Sequence, residues 1–151
     1  LLLSRRLLVR AAIDDQWIFL DPEPDLSRAY VERERLATLP SSSWSHFDRQ
    51  VLGAGGGIYP RQAARIELST AAVDLLGLDR DTVSGAELVQ AILRLPVDLL
   101  WCGRAGVLVK ASDEPHAEIG DAANDEVRID AADLRCRVVA ELEPVFSQRA
   151  R

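Results

Sequence analysis

The stretch SGAELVQAILRLPVDLLW at residues 84–101 places the tightest restriction on the fold of this chain. Ser84 and Glu87 have the spacing of a capping box, in which each side chain satisfies a backbone N–H left exposed at a helix start. Apolar residues at helical spacing follow, and Pro96 ends the helix. Residues 97–101 form a nearly continuous apolar run of strand length, typical of a parallel strand covered on both faces. A helix that leads directly into such a strand predicts an α/β fold.

Strand-like and helix-like segments alternate along the rest of the chain. The segment VRAAID predicts a short buried strand that ends at Asp14, and Asp25 is placed to cap a helix over residues 26–37. Glu32 and Arg35 lie three residues apart in this helix and predict a solvated face. The segments ARIEL and LRCRVVA predict further strands, and STAAVDLLGL predicts a short helix. The alternation predicts a parallel sheet with flanking helices.

Composition restricts the kind of partner. The 151 residues carry a formal charge of -6, which is unfavourable for binding a nucleic-acid backbone. No apolar run reaches the roughly 20 residues of a membrane span, so we expect no membrane partner. The chain has only two cysteines, which favours a reducing cytoplasm. It also has no methionine, and we therefore expect it to be an excerpt of a longer polypeptide.

The glycine-rich stretch VLGAGGGIYPR, residues 51–61, raises the question of a phosphate-binding loop. A dinucleotide fingerprint needs glycines at its first, third and sixth positions, between a strand and a helix. Gly53 and Gly55 satisfy the first two positions, but Ile58 occupies the sixth and no strand-like segment precedes them. The spacing favours a flexible turn. An anion site at this loop, assisted by Arg61 and Arg65, stays open as a weaker hypothesis.

Few other residues have the spacing of a reactive site. Neither His46 nor His116 pairs at metal-ligand spacing with a cysteine, so we expect no metal site. Asp14 ends a short apolar strand, as does the ribose-binding acid of a dinucleotide fold. That acid follows its glycine loop by about 20 residues, whereas only thirteen residues precede Asp14, so spacing alone favours an exposed loop residue. Four acidic residues miss the calcium-loop pattern and predict a solvated acidic surface: Glu114, Glu118, Asp121 and Asp125.

Several longer stretches together resemble the large NAD-specific glutamate dehydrogenases of bacteria. They are AAIDDQWIFLDPEPD, RERLATLPSSSWSHFDRQVLGAGGGIYPRQAARIELS, ELVQAILRLPVDLLW, VKASDEPHAEIGDAAND and LRCRVVA. They keep the order and spacing of that family over roughly residues 1–140. No single stretch is a generic motif, and the combination is specific.

The resemblance implies a Rossmann-like parallel sheet with flanking helices, incomplete at its N-terminal glycine-loop unit. Residues 1–140 would form this partial NAD-binding domain, and residues 141–151 a divergent C-terminal tail. The implied cofactor is NAD, bound near Asp14 and near the turn that contains Cys102, Gly103 and Gly106. The implied reaction converts L-glutamate, water and NAD to 2-oxoglutarate, ammonia and NADH in the full-length enzyme, which we expect to be a homo-oligomer. The resemblance places the catalytic lysine and aspartate before residue 1, so the isolated chain is expected to be inactive.

The chain also departs from this family at the implied site. Where the family has a Trp-Asn-Gly-Gly-Ile-Gly-Thr-Tyr-like turn, this chain has WCGRAGVL, with Cys102 for the asparagine and Arg104 for a glycine. The glycine-rich stretch that the family has after the last strand is replaced by AELEPVFSQRAR. Asn124 keeps a family asparagine, without an assigned contact. These departures keep an alternative open, in which the chain is a degenerate, non-catalytic interaction module of the same family.

Overall fold

A computed structural model describes residues 3–103 and 105–151. The chain divides into two compact units, the first ending at Gly85 and the second covering Ala86–Arg151. No helix in the described ranges is long and apolar enough to cross a membrane. Each unit is described below by itself.

The first unit contains a three-stranded sheet of β1 (Ala11–Ile13), β2 (Trp17–Leu20) and β3 (Gly57–Pro60), in that order. The strand predicted before Asp14 is therefore present, as β1. Its predicted parallel pairing is wrong, because β1 pairs antiparallel with β2, with Ala12 opposite Phe19. Only the short turn of residues 14–16 joins the two strands, whereas parallel strands need a crossover of a dozen residues or more. Strand β3 pairs antiparallel with the other edge of β2.

The core of this unit lies between the sheet and α1 (Leu26–Ala37). Asp25 caps the helix by accepting a hydrogen bond from Arg28 N at 2.8 Å, as its position before the helix predicts. The helix contributes Leu36 to an apolar cluster whose other members come from β2, β3 and the connection between them: Phe19, Phe47 and Ile58.

A second, smaller pair of strands completes the first unit. Strand β4 (Ile66–Glu67) pairs antiparallel with β5 (Thr82–Val83), and α2 (Thr70–Leu76) lies between them in sequence. Ser69 caps α2 by accepting from Ala72 N at 3.1 Å. Gly77 ends the helix at a φ of 66°, a left-handed conformation that favours glycine. These elements confirm the strand and the short helix predicted here.

The second unit contains the parallel pairs. Helix α3 (Gly85–Leu93) starts at the boundary and leads to β6 (Leu99–Cys102), which pairs parallel with β9 (Val138–Glu141). Strand β7 (Val109–Lys110) pairs parallel with β8 (Ile129–Asp130), and α4 (His116–Ile119) lies between these two in sequence. The chain is thus a mixed α/β protein, with antiparallel sheets in the first unit and parallel pairs in the second. Within the described ranges the parallel strands form two two-stranded sheets, and no single Rossmann-like sheet is visible.

The C-terminal residues pack within the second unit. Val145 is fully buried, and its carbonyl oxygen accepts from Leu108 N at 2.9 Å and from Val109 N at 3.0 Å. Ser147 N donates to Val109 O at 2.8 Å. Residues 145–147 therefore extend the hydrogen-bonded framework around β7.

Candidate functional site

Asp14 lies at the turn between β1 and β2, in the first unit. One carboxylate oxygen accepts from Gln16 N at 2.9 Å and from Trp17 N at 2.7 Å. The other accepts from Ser43 Oγ at 2.7 Å and from Trp44 N at 2.9 Å. Sequence spacing favoured an exposed loop aspartate. The structure instead places Asp14 half-buried, where it links the turn to the serine-rich segment.

The electrostatics of this contact follow from its donors. Burial alone would raise the pKa of the Asp14 carboxyl, but the hydrogen bonds from Trp44, Ser43, Gln16 and Trp17 together lower it. The carboxylate is therefore ionised at neutral pH. An ionised carboxylate has about four acceptor positions, and four internal donors already use them here.

The other three predicted site residues lie together in the second unit, where β6 ends. Cys102 is the last residue of β6, and its carbonyl oxygen accepts from Leu142 N at 3.0 Å. Gly103 and Gly106 follow in the turn, and Arg104 lies outside the described residues.

The Cys102 thiol is poorly suited to nucleophilic chemistry. Its residue is buried, and burial, with smaller contributions from Glu141 and Cys136, raises the pKa of the thiol to about 11. Since the thiolate is the reactive form, the protonated thiol of Cys102 is an inert apolar group at neutral pH.

The two glycines of the turn differ in backbone conformation and in the space beside them. Gly106 has a φ of 70°, and a Cβ added there would lie 2.5 Å from Asn124 Nδ2 and 2.6 Å from Asp121 Oδ2. A Cβ added at Gly103 would meet no described atom within 4 Å, and Gly103 has no positive φ. The local fold therefore requires glycine at 106 but not at 103.

Side chains from residues 121–128 hold the turn that follows Gly103. Asn124 Nδ2 donates to Ala105 O at 3.0 Å, and Asp121 Oδ2 accepts from Val107 N at 2.8 Å. Arg128 Nε donates to Val107 O at 2.9 Å. Sequence reasoning gave Asn124 no contact and did not single out Arg128.

The predicted solvated acidic surface is wrong for two of its four residues. Asp121 faces the turn, and Glu114 is only 6% exposed, accepting hydrogen bonds from Ser147 Oγ and, at 3.2 Å, from Ala111 N. Two of the donors, Val107 N for Asp121 and Ser147 Oγ for Glu114, lie 14 and 33 residues away, so sequence spacing contains no signal of these two contacts.

The glycine-rich stretch in the first unit is organised by a buried carboxylate. Asp21 is 0% exposed, and its two carboxylate oxygens accept from Gly53 N at 3.2 and 3.0 Å. A Cβ at Gly53 would overlap Glu23 O. The amide that an anion would seek thus donates to Asp21, and Arg65 pairs with Glu67 at 3.0 Å. In the part of the chain that the structure describes, no group of three or more His, Cys, Asp or Glu side chains has the arrangement of a metal site.

Comparison with known proteins shows to which family the chain belongs. The sequence matches the family model of the catalytic domain of bacterial NAD-glutamate dehydrogenase over residues 1–151. The chain belongs to this family. The resemblance seen in the sequence is thus confirmed, and the turn after β6 lies within a glutamate dehydrogenase catalytic-domain match.

Individual members of the glutamate dehydrogenase family agree with this assignment. The chain is 44% identical to the NAD-specific glutamate dehydrogenase of Pseudomonas aeruginosa over 141 residues and to that of Mycobacterium tuberculosis over 147 residues. It is 42% identical to the enzyme of the same name from Halomonas elongata over 141 residues. Each match covers 93% of this chain and 9% of the relative, so the chain spans about a tenth of the length of these proteins.

Proposed function

We propose that this chain forms part of the cofactor-binding region of an NAD-dependent glutamate dehydrogenase. The reaction converts L-glutamate, water and NAD to 2-oxoglutarate, ammonia and NADH. The observation that carries the proposal is the match of all 151 residues to the catalytic-domain family model. The names of the relatives, each an NAD-specific glutamate dehydrogenase, support NAD as the cofactor.

The turn after β6 is the part of the chain that we assign to the nicotinamide half of NAD. NAD supplies the hydride acceptor, and the chain supplies close approach and position. Gly103 suits this task, because a residue without a Cβ lets a flat ring approach the backbone and no described neighbour fills the space beside it. Cys102 contributes the end of the strand and an apolar, protonated side chain, since its thiol is buried.

We assign Asp14 to the adenosine ribose, with a condition that the geometry imposes. Its acceptor positions are used by four donors, three of them backbone amides and one the Ser43 hydroxyl. The hydroxyl is the donor that rotates most freely. A ribose hydroxyl would therefore take the place of Ser43 Oγ on Asp14 while the amides stay bound.

We also propose that β6 and β9 belong to a Rossmann-like sheet that other parts of a longer polypeptide complete. Parallel strands occur almost only in sheets whose two faces are both covered. In this pair Trp101 is 47% exposed and Val138 is 55% exposed. The short span of the chain relative to its relatives supports completion by residues outside it.

The experiment is a comparison of NADH-linked glutamate turnover by the isolated 151-residue chain and by the full-length polypeptide that carries it. We expect turnover from the full-length polypeptide and none from the isolated chain. Robust turnover by the isolated chain would contradict our placement of the catalytic groups outside it.

The alternative function is a non-catalytic interaction module, and the replacement of a family asparagine by Cys102 favours it. A full-length polypeptide that neither turns over glutamate nor binds NADH would establish this alternative. Binding of NADH together with glutamate turnover would exclude it.

A further inference from the structure

We propose that Asp121, Asn124 and Arg128 are positioning residues that fix residues 105–107, the part of the turn after β6 that we place beside the nicotinamide half of the cofactor. This inference rests on the proposed function of the turn. It adds three residues that neither spacing nor the resemblance assigns to the cofactor. We call these three side chains the polar clamp.

The polar clamp satisfies the backbone of the turn from one side. Ala105 O accepts from Asn124 Nδ2 at 3.0 Å, and Val107 N donates to Asp121 Oδ2 at 2.8 Å. Val107 O accepts from Arg128 Nε at 2.9 Å. Three backbone polar atoms within three residues thus depend on side chains that lie at least fourteen residues away in sequence.

The clamp is also connected within itself, and two of its three side chains are buried. Asn124 Nδ2 donates to Asp121 Oδ2 at 2.8 Å, and an Arg128 terminal nitrogen donates to Asp121 O at 2.7 Å. The Arg128 side chain is 0% exposed and Asn124 is 8% exposed. Buried polar groups are costly unless they are satisfied, so such a network holds a single arrangement of the backbone it contacts.

The remaining donors of Arg128 fix its orientation. Its other terminal nitrogen donates to Asp125 Oδ1 at 2.6 Å and lies 2.7 Å from His116 Nδ1. The hydrogen bond from Asn124, followed by the Val107 amide and the charge of Arg128, outweighs burial and lowers the pKa of Asp121, which is therefore ionised at neutral pH. An ionised acceptor strengthens the bonds to Val107 N and Asn124.

Gly106 allows the clamp to approach the turn. Its φ of 70° aims the position of a Cβ at Asn124 and Asp121, so a side chain there would displace both. The clamp contacts the turn around Gly106, whereas a Cβ added at Gly103 would meet no described atom within 4 Å. The clamp therefore holds residues 105–107 without a described side chain packed beside Gly103.

The test compares Asn124→Ala with Ser147→Ala in the full-length polypeptide. Ser147 is a matched control, because it is 4% exposed in the same unit and its hydroxyl donates to Glu114 rather than to the turn. For Asn124→Ala we expect the Kd of NADH and the KM for NAD to rise on the order of tenfold, the effect of losing the buried hydrogen bond to Ala105 O. The KM for glutamate should stay within twofold of the control. Equal cofactor constants in the two variants would overturn the proposal.

A second variant and a second measurement keep the outcome decisive. If Asn124→Ala does not fold, Arg128→Lys keeps the positive charge but removes the Nε donor to Val107 O. Amide hydrogen exchange at Val107 should be faster in either clamp variant than in Ser147→Ala, and unchanged exchange would contradict the clamp. If the unaltered polypeptide binds no NADH, the proposed function and the positioning role fall together. The exchange rates then still decide whether the clamp orders the turn.

Discussion

At the scale of single residues, the turn after β6 contains two glycines, of which only Gly106 is required by the local fold. Gly106 has a positive φ and two close polar neighbours, whereas Gly103 has no positive φ and no such neighbour among the described residues. The sequence around the two glycines could not distinguish them, because the φ of Gly106 and its close side chains depend on contacts with residues 121–128. The resemblance pointed to both glycines, and the structure distinguishes their roles.

Substitution of these glycines by alanine should separate folding from cofactor binding. We expect Gly106→Ala to lower the free energy of unfolding by about 1–3 kcal/mol, through backbone strain and displacement of the two polar neighbours. Gly103→Ala should leave the free energy of unfolding nearly unchanged and raise the Kd of NADH in the full-length polypeptide. Urea unfolding and fluorescence titration measure the two effects. A Gly103→Ala variant with normal NADH binding would count against the role assigned to this turn.

Asp14 leads to a prediction about pH. Its folded-state pKa is lowered, so its contribution to stability is present above the unfolded pKa of about 3.9 and is lost as the pH falls through the folded value. Asp14→Asn should therefore be less stable than the unaltered chain at about pH 7, and the difference should shrink towards about pH 2. Urea unfolding across this range measures it. The exposed neighbour provides a control, and a difference equally large for Asp15→Asn would refute the assignment to Asp14.

At the scale of elements, the bounds of α1 were predicted correctly, whereas β3 lies in the stretch predicted as a flexible turn and β1 pairs antiparallel. Helix α1 starts and ends where Asp25 and the apolar spacing predict, because capping and helical periodicity are local properties. The solvated face predicted for α1 is wrong at Glu32, which is 6% exposed and accepts from Asp48 N at 2.8 Å as well as from Arg35. The partner of Glu32 lies sixteen residues away, so helical spacing could not reveal it.

Strand pairing also depends on contacts that the local sequence does not specify. The sequence marks β1 and β6 as apolar strands, but it does not state which strand each one meets. A short turn makes β1 antiparallel to β2, whereas the long connection after β6 allows parallel pairing with β9. Apolar runs therefore predicted the strands, and connection lengths decide their direction.

The link between Asp21 and the glycine-rich stretch gives a prediction at this scale. Gly53→Ala would drive a Cβ into Glu23 O, so we expect the first unit to lose about 1–3 kcal/mol of unfolding free energy. Gly77→Ala is the matched control, since Gly77 has a positive φ but no described atom lies within 4 Å of an added Cβ. Urea unfolding followed by tryptophan fluorescence compares them. A smaller loss for Gly53→Ala than for Gly77→Ala would contradict the close packing of this stretch.

At the scale of the whole molecule, the chain is two compact units that match 9% of the length of its relatives. The family could be read from the sequence, because long stretches keep their order and spacing. The side chains that contact the turn could not be predicted from the sequence, because Asp121 and Arg128 are brought next to it only when the chain folds.

Hydrogen exchange of the full-length polypeptide with and without saturating NADH tests the central claim, that the turn after β6 faces the cofactor. We expect NADH to slow amide exchange in peptides covering residues 101–107, while peptides covering the buried α3 region change little. Bound NADH that leaves exchange over residues 101–107 unchanged would contradict the account.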